Sequence, residues 1–398
     1  MLWYQVGAVD EFRGRGGSAH LLEHLLFRGT KKVSGDEFNR LMEQNGAVSN
    51  AFTGHDVTAY HQFADVSRLE VLMALEADRM QNLEIDEEAF EAERKIVFQE
   101  RKQVVENNPA SPFYERMRQM LWGNSPYGQP VTGLPEDIES LKFEDTLDFY
   151  HKYYAPNNAI LVISGDIEAA TVKPLAEKYY GKLQKKEVER KVPVANSEIF
   201  KQKLLMQLPK ITSPKIVVNY LLPPYNNLPG TIYDYLVLAE FLGGGETSEL
   251  YKDLVLQQKK ALGVSASYNY VSRGDTLFGL AMTPVETADF NPEAGIDLLN
   301  RAMLNAMKNL TDTRLEQIKR KIVADLVYTN DNPETAAYWI GYMLSVGFDL
   351  DDVQNYAEGI KAVTKEKVEK AFAELQKASK ITGVLLPMSE VKGVDDVK

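Results

Sequence analysis

GGSAHLLEHLLFRGTKKVS, residues 16–34, is the stretch from which the rest of the chain is best read. Ala19, Leu21, Leu22, Leu25 and Leu26 recur at helical spacing and glycines bracket them. The spacing predicts a helix from Ser18, as its cap, to about Arg28, ended by Gly29. On such a helix His20 and His24 are four residues apart and stack one turn above the other on one face. Two imidazoles so placed can reach a single zinc ion at about 2.0–2.1 Å each. Glu23 borders the same face and can act on a water beside the ion without ligating it. The order of residues is H-x-x-E-H, the reverse of HExxH.

A hydrolytic zinc site also needs a third protein ligand and an open position. Residues 87–107 read as a long helix, and Glu100 on it is the candidate. Glu93 lies seven residues earlier, two turns away on the same face, where it can hydrogen-bond a ligating histidine and fix its tautomer. Taken singly, each signal has a plainer explanation. Two surface histidines beside a salt-bridging glutamate would give the first, and a solvated, glutamate-rich helix face would give the second. The remaining histidines lack a partner at helical spacing. His55 reads as a solvated turn residue beside Asp56, and His61 and His151 as ordinary strand and helix residues.

With 398 residues, two domains are the default. Hydrophobic residues at 44% and charged residues at 26% describe a globular composition. No apolar run reaches the roughly 18–20 residues of a membrane span. The net charge of −12 argues against a basic nucleic-acid face and is compatible with an acidic, metal-binding site. With no cysteine in the chain, zinc could sit only on histidine and carboxylate ligands. Cysteine absence suits a periplasm and a cytosol alike. The opening MLWYQVGAVD reads as a buried strand with no secretory signal ahead of it, so a start internal to a longer precursor is expected. If that precursor carried a signal, the protein would be periplasmic or secreted, and otherwise cytoplasmic.

The pattern along the chain is α+β. Strands are expected at 2–9, 47–53, 57–63 and 158–164, with helices at 67–82, 87–107, 112–122, 143–154 and 168–182. The second half repeats the rhythm with strands near 203–208, 215–221, 263–271, 275–283 and 380–386. Its helices fall near 230–242, 247–259, 292–309, 313–329, 333–346, 350–360 and 364–377. Residues 142–165 and 364–387 share a capped helix, a polar turn and an apolar strand at one spacing, as two copies of one unit would. We therefore expect two similar domains, each a mainly antiparallel sheet flanked by helices: 1–184, carrying the metal ligands, and 199–398, joined by a charged linker at 185–198.

HLLEHLLFRGTKK, NGAVSNAFTGHDVTAY, ERKIVFQER and GLPEDIESL together resemble the pitrilysin/insulinase family of zinc peptidases, the inverzincins. The likeness is to the short-chain branch, similar to the mitochondrial processing peptidase β subunit and bacterial homologues. It covers nearly the whole chain, and the 76 positions from His24 to Glu100 match the family spacing. The resemblance implies a zinc metalloendopeptidase subunit acting on peptides or unfolded segments held as an extended strand. It makes His20, His24 and Glu100 the zinc ligands, Glu23 the base that activates the attacking water, and Glu93 the supporting glutamate. Asn50 and Ala51, with Phe52 beside them, match positions that bind substrate backbone along a strand edge.

Against that family, this chain lacks the tens of residues that precede the strand matching LWYQVGAVD, so an exposed sheet edge is expected. In the second half Tyr235 and Ala239 stand where histidines would be needed, which implies a non-catalytic copy. Val255 and Leu262 occupy the places of an arginine and a tyrosine that hold substrate in many members, and neither can donate to an oxyanion. A paralogous partner without the zinc motif could supply those groups, giving a heterodimer; a homodimer is the other possibility. The alternative from another class is a non-catalytic structural or assembly subunit of the same fold, as in respiratory-complex core proteins.

Overall fold

The computed structural model describes residues 1–190, 198–285 and 290–388. In chain order the first half contains β1 (Leu2–Tyr4), α1 (Ser18–Leu25), α2 (Gly35–Gln44), β2 (Val48–Thr53), β3 (Thr58–Phe63), α3 (Leu69–Gln81), α4 (Glu87–Asn107), α5 (Ser111–Trp122), α6 (Pro135–Ser140), α7 (Phe143–Tyr153), β4 (Ala159–Leu161) and α8 (Ala169–Tyr179). The second contains β5 (Lys201–Leu208), β6 (Lys215–Leu222), α9 (Ile232–Gly243), β7 (Ala261–Asn269), β8 (Thr276–Pro284), α10 (Pro292–Ala306), α11 (Asp312–Asp331), α12 (Pro333–Val346), α13 (Leu350–Gln354), α14 (Tyr356–Lys361), α15 (Lys365–Lys377) and β9 (Ser379–Pro387).

These elements form two compact units, each a sheet with helices against it. The α+β class and the two-domain plan are as expected. Neither unit is one continuous stretch. The first comprises Met1–Gln103, Asn124–Val194 and Asp325–Tyr356, and the second comprises Val104–Gly123, Ala195–Ala324 and Ala357–Lys398. Half of the expected linker, 191–197, lies outside the described residues.

The sheet of the first unit has the order β2-β3-β1-β4, with every pairing antiparallel. β1 is buried on both faces, which is why Leu-Trp-Tyr shows no polar alternation. Leu2 and Tyr4 join the core formed with Ala19, Leu22 and Leu26 of the first helix. Trp3 packs edge-on against Phe52 and Tyr338, at 5.4 Å to each. Helix α12 closes over Trp3 at Gly341, where any side chain would overlap the indole nitrogen. The sheet of the second unit runs β5-β9-β6-β8-β7, antiparallel except for the parallel β5/β9 pair. Helix α5 lies against β9 at Gly383, in contact with Phe113 and Met117.

The structure corrects three local expectations. The first strand stops at Tyr4. Beyond it Ala8 and Val9 donate to the carbonyls of Gly54 and His55, so the chain leaves the sheet for the β2–β3 turn. Ser18 is not the cap of α1 but its first residue, and its hydroxyl donates to the Arg15 carbonyl at 2.7 Å. The expected helix at 247–259 is instead a π-helical segment, Tyr251–Gln257.

Gly341→Ala tests the close approach of α12 to Trp3. Alanine should gain about 1 kcal/mol of helix propensity. It should lose more, about 1–3 kcal/mol, through overpacking. The net effect should be a lower unfolding midpoint in a denaturant titration followed by tryptophan fluorescence.

Candidate metal centre

Helix α1 is wedged between the sheet and α4. One side, with Ala19, Leu22 and Leu26 just past its end, faces the sheet core. Another, with Leu21 and Leu25, packs on Phe90 and Val97 of α4 and on Ile138 and Leu141. A helix apolar nearly all round has to be buried this way. Its polar stripe then falls on the remaining side, facing Glu93 and Glu100.

Its N-terminus is held from outside the helix. The Glu11 carboxylate accepts from the Gly17 N–H at 3.0 Å and the Ala19 N–H at 2.8 Å, satisfying donors that a cap residue would normally take. Burial pushes Glu11 up to about 8, with those two hydrogen bonds pulling it back. No spacing signal in the sequence marks this residue.

His20, His24 and Glu100 offer ligand atoms that all lie within 4.8 Å of one another. Glu100 Oε2 is 3.8 Å from His20 Nε2 and 3.5 Å from His24 Nε2. A tetrahedral zinc with bonds of about 2.0–2.1 Å separates its ligands by about 3.3 Å. Two neutral imidazoles and one carboxylate are also a donor set that zinc accepts. By separation and by chemistry, the three side chains can hold the ion. The Glu100 side chain is 43% exposed while His20 is 11%, so the cluster is open on the carboxylate side.

The two histidines differ in their surroundings. His24 Nδ1 meets Glu93 Oε2 at 3.1 Å, whereas His20 Nδ1 is buried with no hydrogen-bond partner among the described residues. Burial, and then the charge of His24, lowers His20 to about 4. Burial also pulls His24 down, but the hydrogen bond to Glu93 and the charges of Glu93, Glu23 and Glu100 outweigh it and raise it. Burial of Glu93 is likewise outweighed, by His24 and Arg28, and its carboxyl is lowered.

Glu23 is 9% exposed and stands on the same helix without joining the cluster. Burial raises it, and the Thr53 hydroxyl, which donates to its Oε2 at 2.5 Å, pulls it back. Thr53 closes β2, an outer strand of its sheet. It follows Asn50, Ala51 and Phe52 on that strand. The Asn50 side chain folds onto the same strand and accepts the Ala51 N–H at 2.9 Å. Phe52 points to the other face from Thr53, against Trp3 and Tyr338.

Of the other histidines, His55 lies in the β2–β3 turn as expected, half-buried and with contacts of its own. Its ring nitrogen lies 3.0 Å from the Gln129 carbonyl and the ring packs on Tyr127. Tyr235 and Ala239 are buried in α9, and no second metal-ligating cluster occurs among the described residues. Nor is any described helix long and apolar enough to cross a membrane.

Comparison with known proteins agrees with this geometry. Residues 1–133 match the family profile described as insulinase, peptidase family M16, and residues 140–322 match the peptidase M16 inactive domain. The chain is 26% identical to the zinc protease PqqE of Helicobacter pylori, over 94% of this chain and 82% of that one. It is 29% identical to the human mitochondrial-processing peptidase subunit beta, but over only 45% of this chain and 37% of that one. The crystal structure of a protease from Helicobacter pylori superposes with a TM-score of 0.87 at 24% identity, covering 97% of this chain and 93% of that one. The periplasmic protease PqqL of Escherichia coli has the same fold, with a TM-score of 0.82 at 17% identity, over 97% of this chain and 44% of that one. With the two profiles spanning most of its length and the H-x-x-E-H histidines and Glu100 gathered at one point, the chain belongs to the insulinase family of zinc peptidases, peptidase family M16.

Proposed function

We propose that the protein is a zinc metalloendopeptidase that hydrolyses peptides or unfolded segments lying extended along β2. The observation that carries this reading is the Thr53–Glu23 hydrogen bond, because it ties the proton acceptor to the outer strand on which substrate would lie. When bound, zinc supplies Lewis-acid polarisation of the scissile carbonyl and acidifies a neighbouring water.

His20, His24 and Glu100 hold the ion in this reading. Glu23 takes the proton from the attacking water and passes it to the leaving nitrogen. Its burial, which raises its proton affinity, makes it a better base than a solvated carboxylate. Thr53 fixes the Glu23 rotamer. Glu93 orients His24 through Nδ1. Peptide adding beside β2 displaces the Asn50 side chain from the Ala51 N–H, and both residues then bind substrate backbone.

A partner without the zinc motif completes the site. Leu262 is 60% exposed on β7 and, like Val255, offers no donor to substrate. The alternative, a non-catalytic assembly subunit, would purify without zinc.

Three measurements test these roles. Glu23→Gln should keep near-normal zinc content and lose peptide cleavage by a factor of about 100 or more. Glu100→Ala should lose zinc in metal analysis. Full cleavage by Glu23→Gln would remove Glu23 from the mechanism, and retained zinc in Glu100→Ala would remove the third ligand. The unmodified chain alone should bind zinc yet cleave poorly, and full activity without a second subunit would overturn the partner.

A histidine must be neutral to ligate, so protons compete with the metal. His20, lowered to about 4, is neutral well above that pH, whereas His24, raised above 6.5, is not. As pH falls below the His24 value, zinc affinity should drop by about tenfold per unit, the slope of one proton. It should steepen further only as pH approaches 4, where His20 also takes up a proton. Chelator competition across this range measures the slope, and a two-proton slope near neutrality would contradict the assignment.

A further inference from the structure

Arg28 has no part in the mechanism above, yet the structure fixes it with care. Helix α1 ends at Leu25, and the chain tightens there. Phe27 N–H donates to the His24 carbonyl at 3.1 Å and Arg28 N–H to the Leu25 carbonyl at 2.9 Å. Gly29 follows at φ +127°, a conformation that side-chain-bearing residues rarely adopt, and a Cβ there would meet Gly35 N at 2.8 Å. Gly35 N–H in turn donates to the Arg28 carbonyl at 2.9 Å. The Arg28 backbone is thus held from both sides.

Its guanidinium points at Glu93. Nε donates to Glu93 Oε1 at 2.5 Å, and Nη2 pairs with the same oxygen. The other Glu93 oxygen, Oε2, is the one on His24 Nδ1. The Glu93 side chain is 8% exposed. Alone in that setting its carboxylate could rotate. Two guanidinium nitrogens on Oε1 remove that freedom. Among the described residues nothing supports His20 in the same way, since its Nδ1 has no partner there. The orientation of the histidine pair therefore rests on the His24 side.

We propose that Arg28 is a positioning residue for the metal centre, which holds Glu93 Oε1 so that Oε2 stays on His24 Nδ1–H and His24 Nε2 stays directed at the ion. The inference rests on His24 being a metal ligand, and the experiment separates the two claims.

Zinc affinity is measured by competition with a chromogenic chelator for the wild type, His20→Ala, Arg28→Met, Arg28→Lys, Glu93→Gln and the Arg28→Met/Glu93→Gln double variant. Thermal unfolding of each metal-free protein is recorded alongside. Arg28→Met should weaken zinc binding by about tenfold. Arg28→Lys should recover part of that loss, because an ammonium can still hold Glu93. The double variant should bind as Glu93→Gln does, within about twofold, because Arg28 acts only through Glu93.

Unchanged affinity in Arg28→Met overturns the proposal. So does a double variant about tenfold weaker than Glu93→Gln, the product of independent effects. If Arg28→Met does not fold, the Arg28→Lys and Arg28→Lys/Glu93→Gln pair gives the same comparison. If the wild type binds zinc no better than His20→Ala, the metal site itself is wrong, and Arg28 falls with it. Tight wild-type binding lost in His20→Ala but unaffected at Arg28 sinks this inference alone.

Discussion

The burial of helix α1 between the sheet and α4 is the constraint on which the metal centre depends. Leucines on two sides of a short helix demand apolar partners on two sides, and the sheet core and α4 supply them. Each buried leucine is worth about 1.5–3 kcal/mol of transfer free energy. That energy fixes the rotation of the helix about its own axis. With the rotation fixed, His20, Glu23 and His24 have one direction left, and Glu100 waits in it.

Electrostatics then divides labour among groups of the same kind. The two histidines are four residues apart on one helix, yet burial lowers one while a buried glutamate raises the other. The three glutamates differ just as much. Glu93 is paired with cationic or hydrogen-bonding partners and held low, while Glu23 is buried beside one hydroxyl and raised. Glu100 stays more than a third exposed, which suits a ligand at the open side of the cluster. Environment, not residue type, separates an orienting carboxylate from a proton acceptor.

Symmetry of plan does not bring symmetry of function. Residues 142–165 and 364–387 each hold a helix followed by a strand, α7 then β4 and α15 then β9, but β4 has three residues and β9 nine. In the second unit, however, the helix with Tyr235 and Ala239 is buried by aromatic and aliphatic contacts and gathers no metal ligands. Glycine performs a parallel service in both units, Gly341 admitting Trp3 and Gly383 admitting Phe113. In both cases the missing side chain lets a helix and a strand approach closely.

Much of this was legible in the residues alone. The helix expected at 87–107 is observed at Glu87–Asn107, and the cluster able to hold a metal comprises the two histidines of H-x-x-E-H and the one glutamate expected. Local periodicity suffices for such features because a helix sets side-chain direction within itself. Chain order alone did not reveal that α12 belongs with the first sheet and α5 with the second. Nor did it reveal that Glu11 replaces Ser18 at the head of α1, that Thr53 reaches Glu23, or that Arg28 reaches Glu93. Those partners are 6 to 65 positions apart, and their meeting is decided by how apolar faces are buried. The sequence thus determined which groups could bind a metal, because that chemistry is a property of residue type and helical spacing. Only the tertiary structure decided which neighbours hold them and how each is charged, because long-range packing alone sets distance and burial.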